Sequence, residues 1–407
     1  MTKTVLFNDP IYGFITVKSE LVLSIIGHPY FQRLRRIRQL GMTHLVYSGA
    51  HHTRFHHALG AMHLTTQAIE VIRSKGHEVT DEEAEAAEIA VLLHDIGHGP
   101  FSHALEDSIV PEIRHEELSE LFMNRLNKTF KGKLSLALEI FRNKYPKKFL
   151  HQLVSSQLDM DRMDYLNRDS FFTGVSEGVI SYDRIIKMLN VHNDNLVVDA
   201  KGILSVEKFI IARRLMYWAV YLHKTVLGAE LLMVNILKRA KELSLSGVTI
   251  FSTPSLEKFL NGKFSGKDFT SDETLLDSFA QLDDYDVFAS LKVWAGQSDN
   301  VLSNLCRAMV NRKLFKIEIS NMEFDERIIA ERKKKIQQSL GISETESNYF
   351  ISNGGIVNHA YDNRQNPVNI LYKDGSVKNI VDASDLMNIS ALSVPVKKYY
   401  LCCIRFN

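Results

Sequence analysis

Disulfides, a secretion signal and a membrane span are all missing from what this sequence offers. Only three of its 407 residues are cysteine (Cys306, Cys402 and Cys403), and they give neither a disulfide framework nor the spacing of zinc ligands. The opening Met1-Thr2-Lys3-Thr4 has no signal-peptide apolar core, so a reduced, cytoplasmic compartment is the expected one. No uninterrupted apolar run approaches the ~18 residues of a membrane helix. The most apolar stretch, Leu215 to Leu237, is broken by His223, Lys224 and Glu230. A net charge of +1 excludes bulk electrostatic attraction to nucleic acid and leaves only a local patch open. The run Arg332-Lys333-Lys334-Lys335 reads as a solvated helix face rather than such a patch.

What the chain has in excess is histidine in one region. Twelve of its sixteen histidines lie between His28 and His115. The run His94-Asp95-Ile96-Gly97-His98-Gly99-Pro100-Phe101-Ser102-His103-Ala104 is the densest part. The stretch before it opens with Thr80 and has Glu83 three residues on, the spacing of a capping box. Ala84, Ala87, Ala90, Val91 and Leu93 then form an apolar stripe, predicting a helix that delivers His94 and Asp95 at its buried end. A buried carboxylate costs several kcal/mol unless it is paired or metal-bound. Adjacent helical side chains diverge by about 100°, yet both can reach one cation where the helix ends. The alternative is a capping Asp beside a core histidine.

Two neighbours favour the metal. Upstream, Arg54-Phe55-His56-His57 opens an amphipathic run with Ala61, Leu64, Ala68, Ile69 and Ile72 on its apolar side. Downstream, Asp159, Asp161 and Asp164 place three carboxylates in six helical residues. His57, His94, Asp95 and Asp161 make a mixed nitrogen and oxygen set suited to one Fe, Mn, Zn, Co or Ni ion rather than to Ca or Mg. Gly97, Gly99 and Pro100 suggest a close-approach loop that aims His98 and His103 inward. His51, His52, His56 and His63 read as supporting, capping or core residues.

With 45% hydrophobic residues the chain can bury a sizeable core. The fold expected is mainly α, with small β-hairpins and a C-terminal α+β lobe. Hairpins are predicted at 4–17 and at Asn195 to Gly202, with helices from about 18 to 190 and again from Val206 to about 310. Loop signals cluster at Gly262 to Lys267. After Lys313 a strand-like Leu314 to Ile319, one charged helix, short strands around Gly354-Gly355 and Asp374-Gly375, and a β-like Val394 to Phe406 complete the chain. Residues 1–312 form the helical core in this reading and 313–407 the lobe, whose expected uses are oligomer contacts or nucleotide regulation.

The order and context of His57, His94-Asp95 and Asp161 resemble the H…HD…D pattern of the HD-domain metal-dependent phosphohydrolases. The likeness narrows to the deoxynucleoside triphosphate triphosphohydrolase branch through Phe7-Asn8-Asp9-Pro10-Ile11-Tyr12-Gly13, Phe31-Gln32-Arg33-Leu34-Arg35, Gln39-Leu40-Gly41 and Arg54-Phe55-His56-His57. The Asp161 to Asp169 run and Asn311-Arg312-Lys313-Leu314-Phe315-Lys316 extend it over roughly residues 5 to 320. Vertebrate members of the branch add a SAM domain, and none is expected ahead of a motif set that begins within ten residues of Met1.

The resemblance implies an HD-type helical core and a transition metal held by His57, His94, Asp95 and Asp161. It implies that His98, His103 and His115 surround the α-phosphate, with His103 protonating the departing 5′-oxygen and Glu106, in place of a family Asp, supporting it. Arg54, Arg162 (in place of a Lys), Tyr165 and Arg213 would contact the triphosphate, Asp169 and Tyr221 the sugar, and Gln39 with Leu40 the sugar and base. Deoxynucleoside and inorganic triphosphate would be the products, with Mg travelling on the nucleotide.

A nucleotide activator and a homo-oligomer, dimer or tetramer, are further expectations. Leu222 stands where the vertebrate members have a Gln that recognises the sugar. Gly27 and His28 stand near an Asp that reads guanine in their activating site, so guanine as the trigger is not supported. Asn8, Arg35 and Lys224 remain available there. The runner-up readings are a phosphohydrolase of nucleoside monophosphates or cyclic nucleotides, and a nucleotide sensor without turnover.

Overall fold

The architecture is set by helices whose small residues let them pack closely around one buried segment. The structure, a computed structural model, describes residues 4–405 except 102, 107, 111–112, 359–360, 363–366, 386–391 and 393; the side chains of His103 and Glu106 are also left out. The helix Arg54–Ser74 packs against Asp81–Leu93 on one side and Met160–Thr173 on another. Ala58, Ala61 and Ala68 on the first and Ala87 and Ala90 on the second are buried, so the axes approach closely while Leu64, Ile72, Ile89 and Leu92 fill the space. Each fully buried aliphatic side chain of this size contributes about 1.5–3 kcal/mol.

Local chemistry fixes the ends of these helices. Thr80 Oγ1 accepts from Glu83 N at 3.1 Å and Glu83 Oε2 accepts from Thr80 N at 2.8 Å, the expected capping box. Asp159 caps the third helix by accepting from Arg162 N at 2.7 Å, and Gly174 closes it in the left-handed conformation, φ +74°. The second helix ends at Leu93, with His94 as its C-cap.

The fold is mainly α with small sheets, as expected. The hairpin Val5–Asp9 with Gly13–Val17 forms where it was predicted. The second hairpin is earlier and longer than predicted: Leu189–His192 pairs antiparallel with Asn195–Asp199. Its turn is Asn193-Asp194, both at positive φ, the conformation a tight two-residue hairpin needs. The lobe contributes to two sheets. Asn369–Leu371 adds in parallel to Asn195–Asp199 and pairs with Val377–Asn379, while Lys316–Ser320 and Ile351–Asn358 flank Val396–Cys403. Gly354 and Gly355 therefore lie inside one long strand, whereas Asp374-Gly375 is a turn. The helix Gly266–Ser271 begins at the end of the expected loop, taking in its last two residues. Phe406 lies outside the described residues.

No single helix among the described residues is long and apolar enough to cross a membrane. The pair Ala200–Tyr221 and Lys224–Leu245 passes by composition but is bent by 56°.

One buried cation fastens the loop that follows His94. Arg33 is fully buried between the rings of Phe122 and Phe279, each 5.5 Å from its guanidinium carbon. It donates to the carbonyls of Ile96 at 2.9 Å and His98 at 2.8 Å. Burial lowers its pKa to about 9, so it remains a cation at neutral pH. Arg33→Ala removes the cation–π contacts, leaves a cavity and strands two buried carbonyls. A loss of about 3 kcal/mol is expected in chemical denaturation; a shift below about 1 kcal/mol would show that the loop holds without it.

Candidate metal and substrate site

The ends of three helices converge on a cluster of imidazoles and carboxylates. His57 comes from the first turn of Arg54–Ser74, His94 from the end of Asp81–Leu93, and Asp161 from the first turn of Met160–Thr173. One ligand atom from each of these three lies within 4.8 Å of the other two. Asp95 faces the same rings, with Oδ2 3.8 Å from His57 Nε2 and Oδ1 3.3 Å from His94 Nε2.

Each histidine is fixed by its other nitrogen. His57 Nδ1 is 2.8 Å from Asp164 Oδ2, and His94 Nδ1 is 2.5 Å from the Val91 carbonyl. A carbonyl only accepts, so His94 carries its proton on Nδ1 and presents the Nε2 lone pair; an ionised Asp164 imposes the same on His57. Both Nε2 atoms are buried and face a carboxylate: Asp161 Oδ1 lies 3.1 Å from His57 Nε2 and 3.5 Å from His94 Nε2. Two buried imidazole nitrogens facing two carboxylates are a donor set that fits a divalent transition metal.

The pKa shifts report the same crowding. Burial acts to lower the pKa of His57, but hydrogen bonds to Asp161 and Asp164 override it and lift the ring to about 10. Burial likewise opposes charge on His94, and the Asp95 carboxylate raises it to about 9. Asp161 is driven far below the carboxylate range, with burial overcome by His57 and His94.

Behind the site lies a buried relay that inspection of the sequence missed. Asp164 is clasped by Arg168 through Nε and Nη2, both at 2.9 Å, and Arg168 Nη1 reaches Asp9 Oδ2 at 2.8 Å. Asp164 is three residues after Asp161 and Arg168 four after Asp164, so helical spacing was the available signal. Gly60 makes room: a Cβ there would stand 2.0 Å from Asp164 Oδ1.

The remaining expected residues divide between two openings. A cleft of about 480 Å³ is lined by His94, Asp95, His115, Asp161 and Arg162, with Glu116, Glu117 and Glu120 on its rim. A cavity of about 380 Å³ is lined by Gln39, Leu40, Arg54, Tyr165, Asp169 and Tyr221, with Phe101, Tyr217, Leu222 and Glu230 beside them. The ion pair of Arg54 Nη1 with Asp95 Oδ2, 2.5 Å, joins the two. Asp169 accepts from the Tyr221 hydroxyl at 2.8 Å and pairs through its other oxygen with His52 Nε2 at 2.8 Å.

His98 and His115 stack at 3.8 Å between centroids, and His98 Nε2 stands 3.4 Å from Asp95 Oδ1. Burial, reinforced by the Arg54 charge, keeps His98 neutral by lowering its pKa well below the usual value. Gly97 is needed here, since a Cβ would meet the His115 carbonyl at 2.2 Å. Arg162 pairs with Asp159, and Arg213 donates to Gln157 at 3.0 Å. Arg213 lines neither opening, although its charge and that of Arg162 both act on buried Tyr165, countering the rise that burial causes. His103 and Glu106 belong to the short helix His103–Glu106, and their side chains lie outside the described residues. His56 is a cap, accepting from Thr53, as expected.

Comparison with known proteins fits this geometry. A profile of the HD domain matches residues 54–169, spanning all four expected ligands, and one of the HD-associated region matches 180–249. The crystal structure of a phosphohydrolase from Bacteroides thetaiotaomicron is 52% identical, with a TM-score of 0.96 over 99% of this chain and 100% of that one. The YwfO protein of Bacillus subtilis is 36% identical over 317 residues, 76% of this chain and 70% of its own length. The deoxynucleoside triphosphate triphosphohydrolase SAMHD1 homologue of Dictyostelium discoideum is 29% identical over 256 residues, 58% of this chain. This chain spans about half of that relative, 49%.

A metal must displace the protons of His57 and His94 to bind. Manganese affinity of the metal-free protein should therefore rise steadily from pH 6 to 9, with proton release visible as a buffer-dependent calorimetric enthalpy. An affinity independent of pH over that range would contradict the ligand set.

Proposed function

The chain belongs to the HD-domain family of metal-dependent phosphohydrolases, and from that premise we propose that it hydrolyses deoxynucleoside triphosphates to deoxynucleoside and inorganic triphosphate. The observation that carries the reading is the junction of the two openings. A metal-binding cluster and an aromatic-walled cavity of nucleoside size meet at the Arg54–Asp95 pair. Phosphate chemistry and nucleoside recognition would then sit side by side.

Held by His57, His94 and Asp161 with Asp95 beside them, the metal (Fe, Mn, Zn, Co or Ni) would supply Lewis-acid polarisation of the phosphoryl group. The protein's own groups do the rest. Arg54 from the cavity and Arg162 from the cleft would supply positive charge where negative charge grows on the α-phosphoryl oxygens. Neutral His98, stacked on His115, takes a hydrogen-bonding position beside Asp95, and His103 is assigned the proton for the departing 5′-oxygen. Asp169, oriented by His52 and Tyr221, bonds the sugar, with Gln39 and Leu40 on the base side. Mg accompanies the triphosphate.

Regulation by a nucleotide and assembly into a dimer or tetramer are part of the same proposal. Nucleotide regulation is supported by a basic cavity of about 520 Å³ between helix Lys224–Leu245 and the C-terminal sheet, lined by Lys224, Lys316, Arg332, Lys335 and Arg405. The Arg332 to Lys335 run is therefore not only a solvated face: Arg332 turns inward onto Glu318 at 2.8 Å.

One observation favours the second reading, a smaller phosphoester such as a nucleoside monophosphate or cyclic nucleotide. Arg162 is engaged by Asp159 and Arg213 by Gln157, so the three arginines do not line a single opening. Chromatographic product analysis separates the readings. Protein reconstituted with Mn or Fe plus Mg receives each deoxynucleoside triphosphate singly and all four mixed. Deoxynucleoside plus triphosphate is the expected outcome, and turnover in mixtures alone would identify an activating site. Asp161→Ala should abolish both metal retention and product. Cleavage of monophosphates or cyclic nucleotides only, or tight binding without turnover, would overturn the proposal.

A further inference from the structure

The least explained group in the aromatic cavity is Glu230. It interrupts an apolar run, Val226 to Val234, on the helix Lys224–Leu245, where an aliphatic side chain would pack at no cost. It lines the cavity beside Leu222 and Tyr221. Among the described residues it takes part in no hydrogen bond and no ion pair. Burial alone pushes its carboxyl up to about 7, with no neighbouring charge contributing. Arg54 lines the same cavity and is paired with Asp95, and its charge is not among the influences on Glu230. The cavity is polarised: a guanidinium where the phosphates would lie, a lone carboxyl apart from it, and the rings of Tyr165, Tyr217 and Tyr221 between 5.3 and 5.9 Å apart.

A second unsatisfied acceptor is present. Gln39 Oε1 is buried on the wall of this cavity without a hydrogen-bond partner. Two acceptors lacking donors, in a pocket walled by aromatics, call for a ligand that brings N–H groups. We propose that Glu230 is a specificity-determining residue that reads the edge of the nucleobase and favours guanine, which brings two N–H donors to a carboxylate, over thymine.

The chemistry follows from the hydrogen-bonding edges. As a carboxylate, Glu230 accepts from both N1–H and the amino group of guanine. As a carboxylic acid it offers one donor and one acceptor, which adenine, cytosine and thymine all match, so the selective form is the carboxylate. Thymine sets a carbonyl on each side of its single N–H, so a carboxylate meets repulsion there. This inference rests on the triphosphohydrolase reading and adds the base preference that reading leaves open.

The test is competition in one vessel, which also supplies any activating nucleotide. Manganese-loaded protein with Mg receives an equimolar mixture of the four deoxynucleoside triphosphates, and their rates of disappearance are compared. The wild type should consume dGTP about tenfold or more faster than dTTP. Glu230→Gln offers one donor and one acceptor, which suits the N–H and carbonyl of thymine, so the ratio should fall to within about threefold. Equal wild-type rates, or a ratio unchanged in Glu230→Gln, overturns the role of Glu230 and leaves the triphosphohydrolase reading intact. If the variant proves unstable, the wild-type ratio decides by itself. No consumption of any nucleotide by the wild type overturns both.

Discussion

Everything at the centre of this protein depends on keeping the Asp164 carboxylate ionised in a fully buried place. A buried carboxylate survives only with dedicated partners, and Asp164 has three donors: His57 on one side and two nitrogens of Arg168 on the other. Arg168, equally buried, is balanced in turn by Asp9 on the N-terminal hairpin. Asp164 is thereby held at a pKa of about 2 although burial acts to raise it, with the Arg168 charge as the chief counterweight. The relay orients one imidazole, and through it the ligand set. Gly60 and the close helix packing are the steric conditions for it.

A second consequence is the division of labour around Asp95. Its carboxylate touches the metal-facing imidazoles, His98 and Arg54, which lines the aromatic cavity. One residue thus connects the cleft where charge would be handled to the pocket where a nucleoside would be recognised. The loop carrying it is anchored by Arg33 beneath and by Gly97 against Ser119, whose Oγ accepts from the Gly97 amide at 2.9 Å. Rigid support of this kind is what a hydrolytic site needs, because small displacements of positioned groups cost orders of magnitude in rate.

Local pattern made much of this readable from the amino-acid sequence. The capping box at Thr80 and Glu83, the hairpin near Asn8, and the placement of His57, His94, Asp95 and Asp161 on helix starts and ends all follow from short-range spacing. What was not legible depends on contacts far apart in the chain. Asp9 and Arg168 are 159 residues apart, and nothing local announces their pairing. The parallel pairing of Val198 with Ile370 likewise joins segments that each look like isolated strands. Leu189–His192 was read as the tail of a helix because Tyr182–Met188 runs directly into it. The arginines expected at one triphosphate were assigned by resemblance, and their engagement with Asp159 and Gln157 is a tertiary fact.

The central claim is that His57, His94, Asp95 and Asp161 share one metal ion. Anomalous diffraction from crystals of the manganese-loaded protein tests it directly. The account predicts a single strong peak within bonding distance of His57 Nε2, His94 Nε2 and an oxygen of Asp161, with Asp95 alongside. A peak elsewhere, or none at full manganese loading, would contradict it.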